Sequence, residues 1–152
     1  MAITARLSED LLVAETELQA VLAGRTGDGA VVAFVGLARD SSRAGVVTGL
    51  HLDHYAGFTE RSLEVIAADA GAHFAVSDIH VIHRCGDVAP GEAIVFVAVA
   101  APHRRAAFEA ADYLMDRLKT EAAFWKREDG PDGSRWIEPT DQDRADRRRW
   151  SD

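Results

Sequence analysis

Lysine is almost missing from this chain. Of seventeen basic residues only Lys119 and Lys126 are lysines, and the other fifteen are arginine. A single cysteine, Cys85, has no partner for an internal disulfide and fits a reducing cytoplasm. No apolar run reaches the roughly 20 residues that a membrane-spanning helix needs. The opening MAITARLSED lacks a basic region followed by an apolar core, so no secretory signal is read there. A basic surplus is missing as well. The formal net charge of −8 argues against nonspecific nucleic-acid binding, while leaving room for a local cationic pocket.

Several catalytic signatures are also missing. There is no glycine-rich phosphate loop of Walker or Rossmann type, no GxSxG elbow and no HExxH helix. His51 and His54, three residues apart on an expected strand, would point to opposite faces, which is poor metal geometry. With one cysteine besides, neither a metal nor a cofactor is expected. His51, His54, His80 and His83 read as packing or interface residues. Cys85, at a strand end before Gly86, reads as a small buried filler rather than a nucleophile.

What is present suggests one domain over residues 1–138 and a charged, aperiodic tail over 139–152. The tail is either partly disordered or docked through Trp150. Residues 2–7 alternate as a first strand, and Ser8 is a suitable N-cap for a helix over about 9–22. Its apolar face would include Leu11, Leu12, Leu18 and Leu22. The run GAVVAFVG over 29–36 predicts a strand buried on both faces or in a tight interface. A polar loop follows, with Arg39 just past the strand end, either solvated or facing a ligand.

Strands are expected over 46–55 and 78–84, with a helix from 58 to 70 between them. The most hydrophobic strand, 92–101, should be central. Pro102 precedes an amphipathic helix carrying Ala107, Ala111, Leu114 and Leu118 on one stripe, which Phe108 and Met115 widen. The aromatic stretch 123–128 then predicts a strand, joined by a Gly130-Pro-Asp-Gly133 hairpin turn to SRWIE. The order, roughly β-α-β-β-α-β-β-α-β-β, indicates an α+β fold with three main helices and a largely antiparallel sheet.

Lys119 falls at the end of that last helix and Lys126 on the strand after it, so a short turn could bring both amines together. A lysine in a last helical turn also fits the helix dipole with no catalytic role. The candidate cationic set is Arg39, His103, Arg104, Lys119 and Lys126. Arginine forks suit phosphate or carboxylate, and clustered cations lower a lysine pKa toward neutrality. Arg104 and Lys119 share a helix but lie fifteen residues apart, about 22 Å at ~1.5 Å per residue. They cannot hold one small ligand within a single chain. If both serve a site, two subunits share it, in a symmetric dimer.

Five segments in order resemble the large (catalytic) subunit of molybdopterin synthase. They are GAVVAFVGLARD, LHLDHYAGFTERSL, IHVIHRCGDVAPGEAIVFVAV, the HRRAAFEA helix start, and MDRLKTEAAFWKRE followed by GSRWIE, together covering about 28–138. The resemblance implies an α/β-hammerhead-type fold and a homodimer core. Each end would bind a small ubiquitin-like sulfur-carrier subunit, giving a heterotetramer. That subunit's Gly-Gly thiocarboxylate would supply two sulfurs in succession to cyclic pyranopterin monophosphate, forming the dithiolene of molybdopterin in molybdenum cofactor biosynthesis.

The same resemblance makes Lys119 and Lys126 the catalytic residues. Lys119 would sit beside the thiocarboxylate, and Lys126 beside the pterin and its phosphate. Arg39, with His103 and Arg104 of a neighbouring subunit, would bind substrate. Arg127 and Glu128 would line the pocket, although Glu128 suits a hairpin salt bridge equally well. Phe34 and Met115 would be apolar walls. Leu37 and Ala38 would also touch substrate, but at Leu37 the chain departs from many relatives, which carry a basic residue at that position. A substrate contact there would be through backbone only. Two other readings compete: a non-catalytic adaptor binding a ubiquitin-like tail, and a phosphate-binding hydrolase using His83 or His103 as base.

Overall fold

The computed structural model describes residues 1–151. In chain order the elements are β1 (Ala2–Ser8), α1 (Ala14–Leu22), β2 (Ala30–Leu37), β3 (Ser41–Ser42) and β4 (Gly45–Val46). They continue with β5 (Gly49–His54), α2 (Phe58–His73), β6 (Asp78–Arg84), β7 (Gly86–Val88) and β8 (Ala93–Ala101). The last are α3 (Arg104–Glu121), β9 (Phe124–Gly130), β10 (Gly133–Ile137) and α4 (Asp141–Arg148). The expected α+β architecture is observed, with a fourth, short helix in the tail.

The strands form two four-stranded sheets and a small β3–β4 hairpin. The larger sheet runs β1-β6-β8-β2, with β1 parallel to β6 and the other pairs antiparallel. Strand β8 is interior, as its composition predicts. Val95, Val97, Val99 and Ala101 face α2 and α3, while Phe96 and Ala98 face α1. This two-residue alternation lets one unbroken apolar strand fill two layers. The smaller sheet, β10-β9-β5-β7, is wholly antiparallel.

Helix α2 buries Leu63, Ile66, Ala67 and Ala70, which recur at helical spacing. Helix α3 buries Ala107, Ala110, Ala111, Leu114 and Leu118. Phe108 is not part of that stripe. It is 60% exposed, beside an apolar face already filled by alanines and leucines. Helix α1 begins at Ala14, not near residue 9. Ser8 ends β1 instead of capping the helix, its carbonyl accepting the Cys85 amide at 3.0 Å and its hydroxyl donating to the Asp10 carbonyl. The later start changes the buried face to Ala14, Leu18 and Val21, at i, i+4 and i+7, and leaves Leu11 and Leu22 exposed.

Strand β2 hydrogen-bonds only to β8, so its other edge is open, and Phe34, Val35 and Leu37 are 40%, 38% and 58% exposed. Of the two expectations for this run, burial on both faces fails within one chain. The stretch 46–55 also divides. Val46 pairs with Ser41 in the small hairpin, and the longer strand starts at Gly49. Gly130 permits this close passage, since a Cβ there would lie 2.6 Å from the Val46 carbonyl oxygen.

The described part of the tail, residues 139–151, packs against the body; Asp152 lies outside the described residues. Thr140 caps α4, its Oγ1 accepting the Asp143 amide, while the Asp143 carboxylate accepts the Thr140 amide. Trp150 packs edge-on against Tyr113 and Phe74 and donates from Nε1 to Asp116 at 2.7 Å. Docking through Trp150, the second expectation for the tail, is therefore observed. Cys85 is buried, with burial pushing its thiol pKa up, as befits a filler. No helix among the described residues is long and apolar enough to cross a membrane.

Candidate active site

Helix α3 and strand β9 meet at a two-residue turn held by buried hydroxyls. Thr59, fully buried at the start of α2, donates from Oγ1 to the Ala123 carbonyl at 2.6 Å and accepts the Tyr55 amide at 2.8 Å. Ser62 Oγ accepts the Ala123 amide at 3.2 Å. Because this turn is short and fixed, Lys119 in the last turn of α3 and Lys126 on β9 line one cavity of about 390 Å³. That volume suits a small molecule.

Strand alternation sets which residues of β9 face the cavity. Phe124, Lys126 and Glu128 point inward, while Trp125, Arg127 and Asp129 belong to the opposite face. Leu37 and Arg39 come from the end of β2 and the loop beyond it, and Leu50 and Leu52 from β5. The end of β10 and the tail together supply the last wall, from Ile137 to Thr140 and Asp143.

Arg39, Lys119 and Lys126 form no ion pair with any described residue, so their positive charge is available to a ligand. Burial pushes the Lys126 amine down to about 8. The charge of Lys119 adds to the fall, and Asp143 opposes it. Glu128 is occupied, accepting from Ser42 Oγ at 2.5 Å and pairing with Arg135 at 3.3 Å across the hairpin. Both expectations for Glu128 hold at once: it lines the cavity and closes the hairpin. What results is a small pocket in which Arg39, Lys119 and Lys126 stand across from the carboxylates of Glu128, Glu138 and Asp143, with one amine able to lose its proton near neutrality, suited to binding an anion at the unpaired cations and moving protons.

Of the expected site residues, Leu37, Arg39, Lys119, Lys126 and Glu128 come together. Leu37 departs from the backbone-only expectation, since its half-exposed side chain lines the cavity. Ala38 is buried, its amide donating to Glu92 and its carbonyl accepting from Gly91, so that amide is not free for substrate. Arg127 faces away from the cavity and pairs with Asp129 at 2.8 Å. Met115 packs against the main core, and Phe34 lies exposed on β2. His103 and Arg104 stand at the opposite end of α3, about 22 Å from Lys119 by helix rise.

Thr59, Phe124 and the tail residues were not foreseen at the site. The Thr59 bond spans 64 residues, and nothing in the local sequence signals it. The tail helix had a legible signal in Thr140 and Asp143, three residues apart as in a capping box.

The chain is similar to several known proteins. A protein from Caulobacter vibrioides named molybdopterin synthase catalytic subunit is 56% identical, covering 88% of this chain and 87% of that protein. The solved structure of a molybdopterin biosynthesis MoaE protein from Burkholderia ambifaria superposes with a TM-score of 0.82 at 41% identity, covering 100% of this chain and 99% of that one. A complex of subunits 1 and 2 of molybdopterin-converting factor from Helicobacter pylori shares the fold, with a TM-score of 0.72 at 21% identity over 92% of this chain and 91% of that one. The family model described as MoaE protein matches residues 7–121, and with relatives this similar over nearly its whole length, the chain belongs to the MoaE family.

Proposed function

We propose that this chain is the catalytic subunit of a molybdopterin synthase, a sulfurtransferase. It moves two sulfurs in succession from the thiocarboxylated C-terminus of a small ubiquitin-like subunit to cyclic pyranopterin monophosphate. The carrying observation is that the chain's only two lysines line one cavity with Arg39, unpaired, in a member of the MoaE family. Substrate phosphate and donor thiocarboxylate are both anions, and fixed cations stabilise such charge best where water is partly excluded. The sulfur arrives on another polypeptide, so buried Cys85 has no part to play.

Lys119, exposed at the helix end, meets the thiocarboxylate. Lys126, deeper and closer to neutrality, meets the pterin and its phosphate. Arg39 adds a phosphate contact, and Leu37 an apolar one. His103 and Arg104 serve the site of a second copy in a homodimer. The open, apolar edge of β2, with Phe34 and Val35 exposed, supports such a dimer, because an unpaired edge of this kind is a ready interface. One small subunit at each end then makes a heterotetramer. The single cysteine supports a cytoplasmic setting.

The test is single-turnover conversion of cyclic pyranopterin monophosphate by this protein with a thiocarboxylated small subunit. Lys119→Ala and Lys126→Ala run beside wild type, with small-subunit binding measured separately. Product from wild type, lost in both variants at unchanged binding, is expected. Binding without product would make the chain an adaptor.

A further inference from the structure

Phe124 lines the lysine cavity, and behind it lies a histidine that the sulfur-transfer scheme does not use. His83, near the end of β6, is 5% exposed. Its ring stacks on Phe124, with centroids 4.1 Å apart and planes inclined at 25°. Its Nδ1 lies 2.8 Å from the Arg84 carbonyl oxygen, which can only accept, so the proton sits on Nδ1. Nε2 is left as a bare acceptor with no hydrogen bond to a described residue. The charged groups that face the ring are Lys126 from β9 and Lys119 from α3, and its own strand offers the Arg84 carbonyl.

This setting removes one role and assigns another. Burial, reinforced by both lysines, pushes the His83 pKa down to about 3. An imidazole that weakly basic takes no proton near neutrality, so it does not serve as the general base of the hydrolase reading. A cationic side chain at the same place would be repelled by the two ammonium groups. An uncharged flat ring instead fills the space behind Phe124 and supports the first residues of β9, two positions before Lys126.

We propose that His83 is a positioning residue of the lysine pocket: its ring, stacked on Phe124, holds the start of β9 so that Lys126 keeps its half-buried place in the cavity with Lys119. The proposal rests on this cavity being the sulfur-transfer site, and its first readout is independent of turnover. With two lysines in the chain, competitive acetylation across pH, resolved by peptide mass, reports the titration of each amine directly.

In wild type the Lys126 midpoint lies at about 8. His83→Gln removes the ring and is expected to move that midpoint up toward the ordinary lysine range. It should also slow single-turnover transfer about tenfold or more at unchanged small-subunit binding, as displaced catalytic groups do. His83→Phe restores the stack and is expected to return the midpoint and most of the rate. Phe124→Leu removes the other half of the stack and repeats the His83→Gln shift, which keeps the test open should His83→Gln fail to fold. A folded His83→Gln with an unmoved Lys126 midpoint overturns the proposal. So does a His83→Phe as impaired as His83→Gln, since the nitrogens rather than the ring would then matter. A midpoint shift in a preparation whose wild type forms no product supports the positioning role and overturns the sulfur-transfer reading alone.

Discussion

The hydroxyl of Thr59 and the carbonyl of Ala123 are joined at 2.6 Å across 64 residues of sequence. The same oxygen receives the Tyr55 amide, so one buried side chain ties the start of α2 to the turn between the two lysines. Thr59→Val keeps the shape and removes both bonds, leaving the part-buried Ala123 carbonyl and Tyr55 amide without this partner. The expected loss is about 1–3 kcal/mol in urea unfolding, with slower sulfur transfer because the turn slackens. A variant as stable as wild type would show that water replaces the hydroxyl.

Lys126 titrates near 8 in the folded chain against an ordinary value of 10.5. Below pH 8 both the folded and unfolded states hold the proton, and the folded state bears the full cost of a buried cation. Between 8 and 10.5 the unfolded state binds more protons, so this cost is relieved as pH rises. Lys126→Met should therefore be more stable than wild type at pH 7, by about 1–2 kcal/mol after allowing for water in the cavity, with the difference gone near pH 10.5. Unfolding free energies at several pH values would show the gain shrinking upward. A gain that grew with pH would contradict the assigned shift.

Arg104 and Lys119 occupy opposite ends of α3. If sites are shared across a dimer, Arg104→Ala and Lys119→Ala are each inactive, yet a mixed dimer carries one intact site. Random exchange of subunits at equal amounts then restores about one quarter of wild-type activity. No recovery after exchange, verified by native mass spectrometry, would place Arg104 outside the shared site.

Trp150 seals the tail to the body through Tyr113, Phe74 and Asp116. Trp150→Ala should cost about 3 kcal/mol and lower the melting temperature. Through α4 it should also loosen Asp143 at the cavity wall. Loss of that carboxylate lets the Lys126 midpoint fall further, since Asp143 is what raises it. Acetylation across pH would read the shift.

Much of this protein is legible along the chain because repetition carries it. Helices α2 and α3, strand β8 and the β9–β10 hairpin follow from apolar spacing and turn residues, which depend only on near neighbours. Lys119 and Lys126 stand out by rarity and are brought together by a turn too short to do otherwise. Elsewhere local preference was overruled. Ser8 could cap a helix, but the ladder between β1 and β6 continues through it, and α1 starts a turn later on a different face. Phe108 continues an apolar stripe in sequence, yet alanines and leucines already fill the interior.

The division at the site has the same cause. Residue type and spacing singled out Lys119, Lys126 and Arg39 as a candidate cationic set and showed that one α3 cannot bring Arg104 to Lys119, while the resemblance to the family implied their roles. Tertiary structure alone decided that Arg127 turns outward, that the Ala38 amide is taken by Glu92, that Thr59 ties the turn at Ala123, that His83 stacks on Phe124, and that tail residues line the pocket. These contacts join residues dozens of positions apart. Burial and pairing depend on what the rest of the fold places opposite a side chain, and no local pattern records it.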